Sequence, residues 1–288
     1  MERTTVAGIG AGICVVIWGI TFVVSKGLMD FLSPLQLMSL RFAIALVALW
    51  LMYPKWEFDV RKEWIFILIA LFGNFLYFYT ENLALTKTYS SNVSILASTT
   101  SLMSLVLAHI IFKDRINSKQ AGGFVLGLIG IVLVAFNGTV ILHLNPEGDV
   151  LALSSALCWA TYGVLLRKFG SGYDAFLITR KMMFYGLLIT LPFVFVEGHA
   201  FDPSLLLEPG SIFGLLFLGL LGSCLCFALW NKSVKILGVV KSNIFLYAMP
   251  SVSLVAGFIA FDEIITPIAI LGTVLVIVGM LIANRYSG

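Results

Sequence analysis

The sequence predicts an all-α integral membrane protein with ten transmembrane helices, arranged as two inverted five-helix repeats. Three observations support this prediction: the composition, the lengths of the apolar segments, and a similarity between the two halves of the chain. Of the 288 residues, 60% are hydrophobic and only 11% are charged, and the mean hydropathy is +1.02. Soluble domains carry about 25% charged residues. Because so few charges cannot keep a soluble surface dispersed, we expect the outer surface to face lipid.

Ten apolar segments are long enough to cross a bilayer, since a helix needs roughly 20 apolar residues to span about 30 Å of hydrocarbon. Proline, glycine and charged residues occupy the gaps between them. Membrane β-strands are disfavoured because the segments are about twice the length of a barrel strand and do not alternate polar with apolar residues. The first segment is too long for a signal peptide. The predicted spans are 6–26, 34–54, 64–86, 90–112, 118–137, 148–168, 174–196, 211–232, 240–260 and 265–284.

The lysine and arginine residues predict the orientation of the spans. With ten spans, the two termini and the even-numbered loops share one side, which holds most of the basic residues from Arg3 to Arg285. The opposite side carries only Lys26 and Lys87, together with acidic residues such as Glu147. Positively charged loops stay in the cytoplasm, so both termini are predicted to be cytoplasmic. The net charge of +3 therefore reflects topology, and we predict no nucleic-acid partner.

The sequence contains no motif of a soluble enzyme. The four cysteines (Cys14, Cys158, Cys224 and Cys226) all lie in apolar segments without a CxxC motif or a histidine partner, so neither a metal site nor a disulfide is predicted. HExxH, GxSxG and P-loop motifs are absent. The glycine run at 8–12 is not a dinucleotide fingerprint, because such a site requires a preceding strand and none is predicted there. We therefore predict no cofactor and no enzymatic activity.

The two halves of the chain resemble each other at a nearly constant spacing. Near the start the offset is 141 residues, which pairs Trp18 with Trp159. Each half holds five spans, an odd number, so the second half begins on the other side of the membrane and the halves are antiparallel. The predicted units are 1–143 and 144–288, an architecture that supports alternating access around a site near the midplane. At an offset of 149, Gly73, Leu76, Phe78, Asn82, Leu105, Asp114, Gly123 and Gly130 match Gly222, Leu225, Phe227, Asn231, Leu254, Glu263, Gly272 and Gly279.

Short motifs mark the beginning and the end of each half. In the first half they are Trp18-Gly19-Ile20-Thr21-Phe22, Ser33-Pro34 and Arg41, then Asp114-Arg115-Ile116, Gln120, Gly123 and Gly130. In the second half they are Trp159-Ala160, Met249-Pro250 and Phe261-Asp262-Glu263, then Gly272 and Gly279. This order resembles the EamA-type repeat of the drug/metabolite transporter superfamily over essentially the whole chain. The resemblance implies a multi-pass carrier of the bacterial inner membrane, most often an exporter of amino acids or related metabolites.

Two ionisable residues within the spans are candidates for function, because a charge inside the bilayer costs several kcal/mol unless it is paired or hydrated. Glu81 is the only carboxylate more than one residue inside a predicted span, and Arg41 lies at an overlapping depth in the second span. Three interpretations stay open. The two charges pair or line an outer vestibule, Glu81 couples transport to protons, or both side chains extend to the headgroups.

Aromatic and polar residues near the middle of the spans predict a substrate cavity, with ordinary helix packing as the alternative. Trp18 and Trp159 are paired by the repeat, and an indole N–H in hydrocarbon needs a polar partner. The third span places two sets of polar and aromatic residues on neighbouring faces. The predicted substrate-binding residues are Trp18, Asn74, Phe75, Phe78, Tyr79, Asn82, Thr99, Trp159, Tyr162 and Tyr247.

Small residues within the spans predict close helix contacts. Gly123 and Gly127 form a GxxxG pair, and packing within one chain is favoured over dimerisation. Pro192 and Pro250 are the prolines deep in spans, where each either hinges or kinks its helix. We therefore predict a monomer, with a dimer as the alternative.

These observations together predict a transporter whose partners are a small-molecule substrate and membrane lipid. The substrate is expected to be a small amphipathic metabolite, with amino acids the leading class, moved by proton-coupled transport or by facilitated exchange. A lipid flippase or scramblase and a multidrug exporter are the alternatives. A membrane-embedded enzyme is disfavoured because Glu81 has no histidine or second acid within its own helix turn.

Overall fold

The computed structural model describes residues 2–54, 57–88, 90–115, 117–136, 145–198, 208–261 and 266–286, and these residues contain helices and no strand. A π-helical stretch, Leu71–Leu76, joins α3 to α4; a second, Phe217–Leu225, joins α10 to α11; and a 3-10 turn, Phe245–Ala248, joins α12 to α13. The helices are α1 (Glu2–Leu28), α2 (Pro34–Met52), α3 (Glu63–Ala70), α4 (Tyr77–Lys87), α5 (Ser90–Ser98), α6 (Thr100–Phe112), α7 (Ser118–Phe136), α8 (Pro146–Phe169), α9 (Ala175–Glu197), α10 (Pro209–Leu216), α11 (Cys226–Leu237), α12 (Val239–Ile244), α13 (Met249–Phe261) and α14 (Pro267–Arg285).

Eight helical segments among the described residues are long and apolar enough to cross a membrane. Large apolar side chains such as Ile9, Val47 and Phe193 are exposed on their outer faces, which a soluble monomer avoids. Two shorter apolar helices, Ser118–Leu133 and Ile270–Ala283, lie at the predicted fifth and tenth spans. The eight are Arg3–Leu28, Pro34–Met52, Glu63–Lys87, Val93–Phe112, Pro146–Phe169, Ala175–Glu197, Pro209–Leu237 and Val239–Ala256. The chain is therefore an all-helical, multi-pass membrane protein.

Contacts between helix ends define two faces of the bundle. At one face, the Lys87 ammonium pairs with Glu147 at 2.9 Å, and the Asn145 side chain donates to the Lys87 carbonyl at 2.9 Å. At the other face, Arg167 pairs with Asp114. We call this second end, which holds Asp114, Arg167 and Lys241, the basic face. The two contacts lie at opposite ends of α8, since Glu147 belongs to its first turn and Arg167 to its last.

The two shorter apolar helices, α7 and α14, pack along each other through glycine. A Cβ atom added to Gly123 would lie 2.5 Å from the Ala283 nitrogen and 2.8 Å from the Gly279 carbonyl oxygen. A Cβ atom on Gly127 would lie 2.7 Å from the ring of Tyr247. The prediction that the GxxxG pair packs within one chain is therefore confirmed.

Replacing Gly123 with Ala is expected to destabilise the protein by about 1–3 kcal/mol, because the added methyl group overpacks the contact with α14. The adjacent Gly122 provides a matched control, since no described atom beyond its chain neighbours and its own helix backbone lies within 4 Å of its Cβ position. Gly122→Ala is expected to be neutral or slightly stabilising, as alanine favours a helix by about 1 kcal/mol over glycine. Thermal unfolding of the two variants in detergent measures the difference, and equal stabilities would contradict the packing.

Candidate functional site

A narrow cavity lies at the centre of the bundle, where α1, α4, α8, α11 and α13 meet. It consists of two adjoining pockets that share Trp18, Tyr77, Trp159 and Met249. Each pocket has a volume of about 10 Å³, which holds about one water molecule. The cavity is therefore nearly filled by its own side chains. The first pocket is lined by Trp18, Thr21, Phe22, Tyr77, Phe78, Glu81, Trp159, Phe227 and Met249.

The two repeat-paired tryptophans meet in this cavity. Their ring centroids are 5.1 Å apart in an edge-to-face arrangement, and Phe227 lies 5.6 Å from each of them. The Trp18 indole Nε1 donates a hydrogen bond to the Gly222 carbonyl oxygen at 2.9 Å. That carbonyl belongs to the second π-helical stretch. The indole N–H thus has the polar partner that its depth in the span requires.

Glu81 supplies a carboxylate to the cavity wall. Its side chain is 6% exposed, and its Oε2 atom accepts a hydrogen bond from the Tyr77 hydroxyl one turn earlier. Tyr77 also lies against the Trp159 ring, with centroids 4.8 Å apart. The carboxylate, the phenol and the indoles therefore form one continuous polar and aromatic surface.

Arg41 is buried behind the cavity wall. Its Nε atom donates to the Ser223 hydroxyl at 2.9 Å, and its guanidinium carbon lies 4.1 Å from the centroid of the Phe78 ring. No ion pair within 4.0 Å joins Arg41 to Glu81. The predicted direct pair is therefore absent, although Nη2 of Arg41 has no hydrogen-bond partner among the described residues. Extension to the headgroups is excluded as well, since both side chains are buried.

Several predicted site residues pack helices together and lie outside the cavity wall. The Asn74 amide nitrogen donates to the Met182 carbonyl at 3.0 Å. Phe75 and Tyr79 stack with centroids 5.8 Å apart. Asn82 is fully buried, and neither of its amide atoms has a hydrogen-bond partner among the described residues.

Three further predicted residues also lie beside or away from the cavity. The Tyr162 hydroxyl donates to Asn231, and its ring packs edge-to-face on Trp159, with centroids 5.1 Å apart. Thr99 bonds a carbonyl within its own segment. Tyr247 belongs to a separate cluster, because its ring fills the space above Gly127.

Five residues of the first pocket were not among the predicted substrate-binding or charged residues, although the sequence contains a signal for some of them. Phe227 is the repeat partner of Phe78, and Tyr77 precedes Glu81 by one helical turn. Thr21 and Phe22 lie inside the first motif of the chain. Met249 precedes Pro250 and carries no signal beyond its place in a motif of the second half.

A buried ion pair near the basic face was also not predicted. The Lys181 ammonium bonds Glu63, and the Tyr185 hydroxyl donates to the other Glu63 oxygen at 2.7 Å. The side chains of Lys181 and Glu63 are 2% and 7% exposed. Because Glu63 lies just outside the predicted third span, no sequence pattern indicates an intramembrane role for it.

The sequence model of the EamA-like transporter family matches residues 6–136 and 146–285, one match in each half of the chain. An uncharacterized transporter of Bacillus subtilis (strain 168), YyaM, is 28% identical, with 92% of this chain and 89% of the relative covered. A probable amino-acid metabolite efflux pump of Escherichia coli (strain K12) is 24% identical over 96% of this chain and 93% of the relative.

A solved crystal structure has the same fold. It superposes with a TM-score of 0.75 at 18% identity and covers 98% of this chain and 97% of its own. At that identity the likeness shows the fold alone. The family is shown by the sequence matches, which extend over both halves. They confirm the resemblance found in the short motifs. The chain belongs to the EamA-like transporter family and is a membrane transporter of that type.

Proposed function

We propose that this transporter moves small amphipathic metabolites across the bacterial inner membrane, with amino acids the leading class, by alternating access around the central cavity. The observation that carries the proposal is the meeting of Trp18 and Trp159 beside Glu81 at the centre of the bundle. Indole and phenyl faces suit the apolar body of a solute, while a carboxylate and a phenol suit its polar end. Relatives named as amino-acid metabolite efflux pumps support the same substrate class.

The contacts around the two π-helical stretches support an inverted relation between residues 1–143 and 144–288. Thr21 and Arg41 lie beside Gly222 in the second stretch. Their repeat partners at the offset of 141 residues are Tyr162 and Met182. These two residues lie beside Gly73, which is the repeat partner of Gly222 at the offset of 149 residues. Helices of each half thus pack, through equivalent positions, against the helix of the other half that contains a π-helical stretch. This exchange of contacts is what inverted repeats around a central site require.

The proposed topology has ten spans, with α7 and α14 crossing as a packed pair and both termini in the cytoplasm. In this arrangement the basic face is cytoplasmic, in keeping with the excess of lysine and arginine there. Lys87 and Glu147 then mark the outer face. Because the glycine contacts of α7 are made within one chain, the proposed unit of transport is the monomer.

The proposal is tested by counterflow in liposomes that contain this protein alone. Liposomes are loaded with an unlabelled amino acid, and the entry of the labelled amino acid is followed over time. We expect transient accumulation above that in empty liposomes for at least one amino acid. Absence of counterflow for every amino acid with folded protein would contradict the substrate class. Movement of labelled lipid, or of a lipophilic cationic dye, would instead support a flippase or a multidrug exporter.

We further propose that Glu81 is the proton-coupling group, since it supplies a carboxylate to the cavity wall. Glu81→Gln is expected to abolish accumulation driven by a pH gradient while leaving counterflow within about twofold, because exchange needs no net proton transfer. Arg41→Gln is not expected to reproduce this separation. Glu147→Gln, at an exposed acid, is the matched control. Retained pH-driven accumulation in Glu81→Gln would leave Glu81 with a structural role only.

A further inference from the structure

A second cavity opens at the basic face and shares no lining residue with the central one. Its volume is about 430 Å³, which lies in the range of small-molecule sites. It lies between the end of α6, the start of α7, the end of α8 and the turn between α11 and α12. Gly238 forms that turn with a positive φ of 84°, which glycine adopts without strain.

The wall of this cavity has an apolar part and a charged part. The apolar part includes Leu237, Val239 and Val240, and the charged part includes Arg115 and Lys241. A ligand that fills the cavity therefore contacts hydrocarbon on one side and cations on the other.

The acid in this wall, Asp114, is already neutralised by Arg167. Arg167 bonds both carboxylate oxygens of Asp114, one of them at 3.0 Å, and its guanidinium carbon lies 4.0 Å from the Phe112 ring centroid. The hydrogen bond from Arg167 lowers the pKa of Asp114 below its ordinary value. Asp114 therefore stays ionised and paired, and it leaves the remaining cations of the wall without an acid.

Arg115 and Lys241 are those remaining cations. Neither has a hydrogen-bond or ion-pair partner in the part of the chain that the structure describes, and both line the cavity. Two uncompensated positive charges beside an apolar wall attract an anion that carries its own apolar body. Arginine binds carboxylate and phosphate groups through paired N–H donors, and lysine binds them as a point charge.

We infer that this cavity binds the carboxylate or phosphate group of an amphipathic organic anion through Arg115 and Lys241. The anion comes from one of two sources, a free solute or the headgroup of an anionic lipid, and both present the same chemistry to the two cations. The site shares no lining residue with the central cavity, so the inference neither requires nor excludes the substrate proposed above.

Lys241 also gives the site a physical connection to the central cavity. It lies on α12, which continues through the 3-10 turn to Leu246 and Met249 in the central wall. The Asn243 amide holds α12 to α6 by donating to the Ser104 hydroxyl at 2.5 Å. An anion on Lys241 therefore binds a segment that also lines the transport cavity.

The test measures thermal unfolding of the purified protein in a non-ionic detergent with sodium hexanoate, at constant ionic strength. We expect hexanoate to raise the Tm of the wild type in a saturable manner, and hexylammonium chloride to have no such effect. In Arg115→Gln/Lys241→Gln the apparent affinity for hexanoate is expected to fall at least tenfold. Lys241→Arg, which keeps the positive charge, is expected to retain most of the wild-type affinity for hexanoate. Equal affinities in the wild type and the double variant would overturn the inference.

Two control variants distinguish binding in this cavity from charge screening and from binding in the central cavity. Lys168→Gln removes a neighbouring exposed charge that does not line the second cavity, and we expect it to bind hexanoate like the wild type. A loss as large as that of the double variant would mean general charge screening and would overturn the proposal. Trp159→Phe alters the central cavity and not the second one. If this variant binds hexanoate with the wild-type affinity, the two sites are separate.

Nanodiscs identify the source of the anion. Hexanoate is titrated into the protein in nanodiscs of phosphatidylcholine alone and in nanodiscs that also contain phosphatidylglycerol. Competition by phosphatidylglycerol, lost in Arg115→Gln/Lys241→Gln, supports a lipid headgroup as the occupant. Equal hexanoate binding in the two lipids supports a free organic anion.

Discussion

Lys181→Met is expected to lower the free energy of unfolding by about 3–5 kcal/mol, as large an effect as any single substitution considered for stability. Breaking a buried ion pair leaves the other charge in a poorly solvated site without compensation. Here the stranded group is Glu63, whose side chain is 7% exposed. It keeps two neutral hydrogen bonds, from the Tyr185 hydroxyl and from the Asp59 backbone N–H, but no cation. Chemical unfolding in detergent measures the loss.

The neighbouring residue provides a matched control for this substitution. Lys62 pairs with Asp59, but their side chains are 57% and 50% exposed, and exposed pairs contribute at most about 1 kcal/mol. Lys62→Met is therefore expected to change stability little. The double variant Glu63→Leu/Lys181→Met removes both buried charges and is expected to be more stable than Lys181→Met alone. A loss in Lys181→Met no larger than that in Lys62→Met would contradict a buried ion pair between α3 and α9.

Trp159→Ala is expected to reduce counterflow by more than tenfold, the largest effect expected on transport. The indole of Trp159 contacts Trp18, Tyr77, Tyr162 and Phe227, so its removal leaves a gap in the wall that faces the solute. Truncation of a buried tryptophan also costs about 3–5 kcal/mol of stability. The amount of folded protein must therefore be measured beside the transport rate.

Conservative variants separate transport from folding. Trp159→Phe keeps an aromatic ring and is expected to remain folded while transport still falls. Trp18→Phe removes the donor to the Gly222 carbonyl and tests the polar contact by itself. Trp64→Ala is the control, because that side chain is 48% exposed and lies outside the cavity. Transport at the wild-type rate in both Trp18→Ala and Trp159→Ala would contradict the cavity assignment.

The extent of the helices could be predicted from the sequence because span length is fixed by bilayer thickness. The interruptions could not. The predicted spans 64–86 and 211–232 read as single helices, whereas each contains a π-helical stretch in the structure. The length of an apolar segment does not reveal such a stretch, because a π-helical turn changes the number of residues per turn without changing the hydropathy of the segment.

The two neighbouring faces predicted for the third span, one with Phe75 and Tyr79 and the other with Phe78 and Glu81, keep these groupings in the structure. Phe75 stacks on Tyr79, and Phe78 and Glu81 line the cavity together. The sequence could not show that only the second face reaches the cavity, because the helices that pack on each face come from distant parts of the chain.

Trp18 and Trp159 could be predicted as cavity residues because two independent signals agreed, their depth and their repeat pairing. The Lys181–Glu63 pair could not, since its partners are 118 positions apart in the chain and nothing in local sequence joins them. The same holds for the contact of Arg41 with Ser223, which are 182 positions apart. Long-range partners of buried charges are decided by helix packing, and a single sequence does not encode that packing in any local pattern.

The most direct test of the central claim is whether the cavity can be reached alternately from both faces of the membrane. Thr21 lines the cavity, and Thr21→Cys on a background without the four native cysteines places one thiol there. An impermeant thiol reagent is added to proteoliposomes, either outside or trapped inside. Alternating access predicts labelling from each side, and slower labelling when the transported amino acid is present. Labelling from one side only, or from neither, would contradict the proposal that Trp18, Trp159 and Glu81 line a transport pathway.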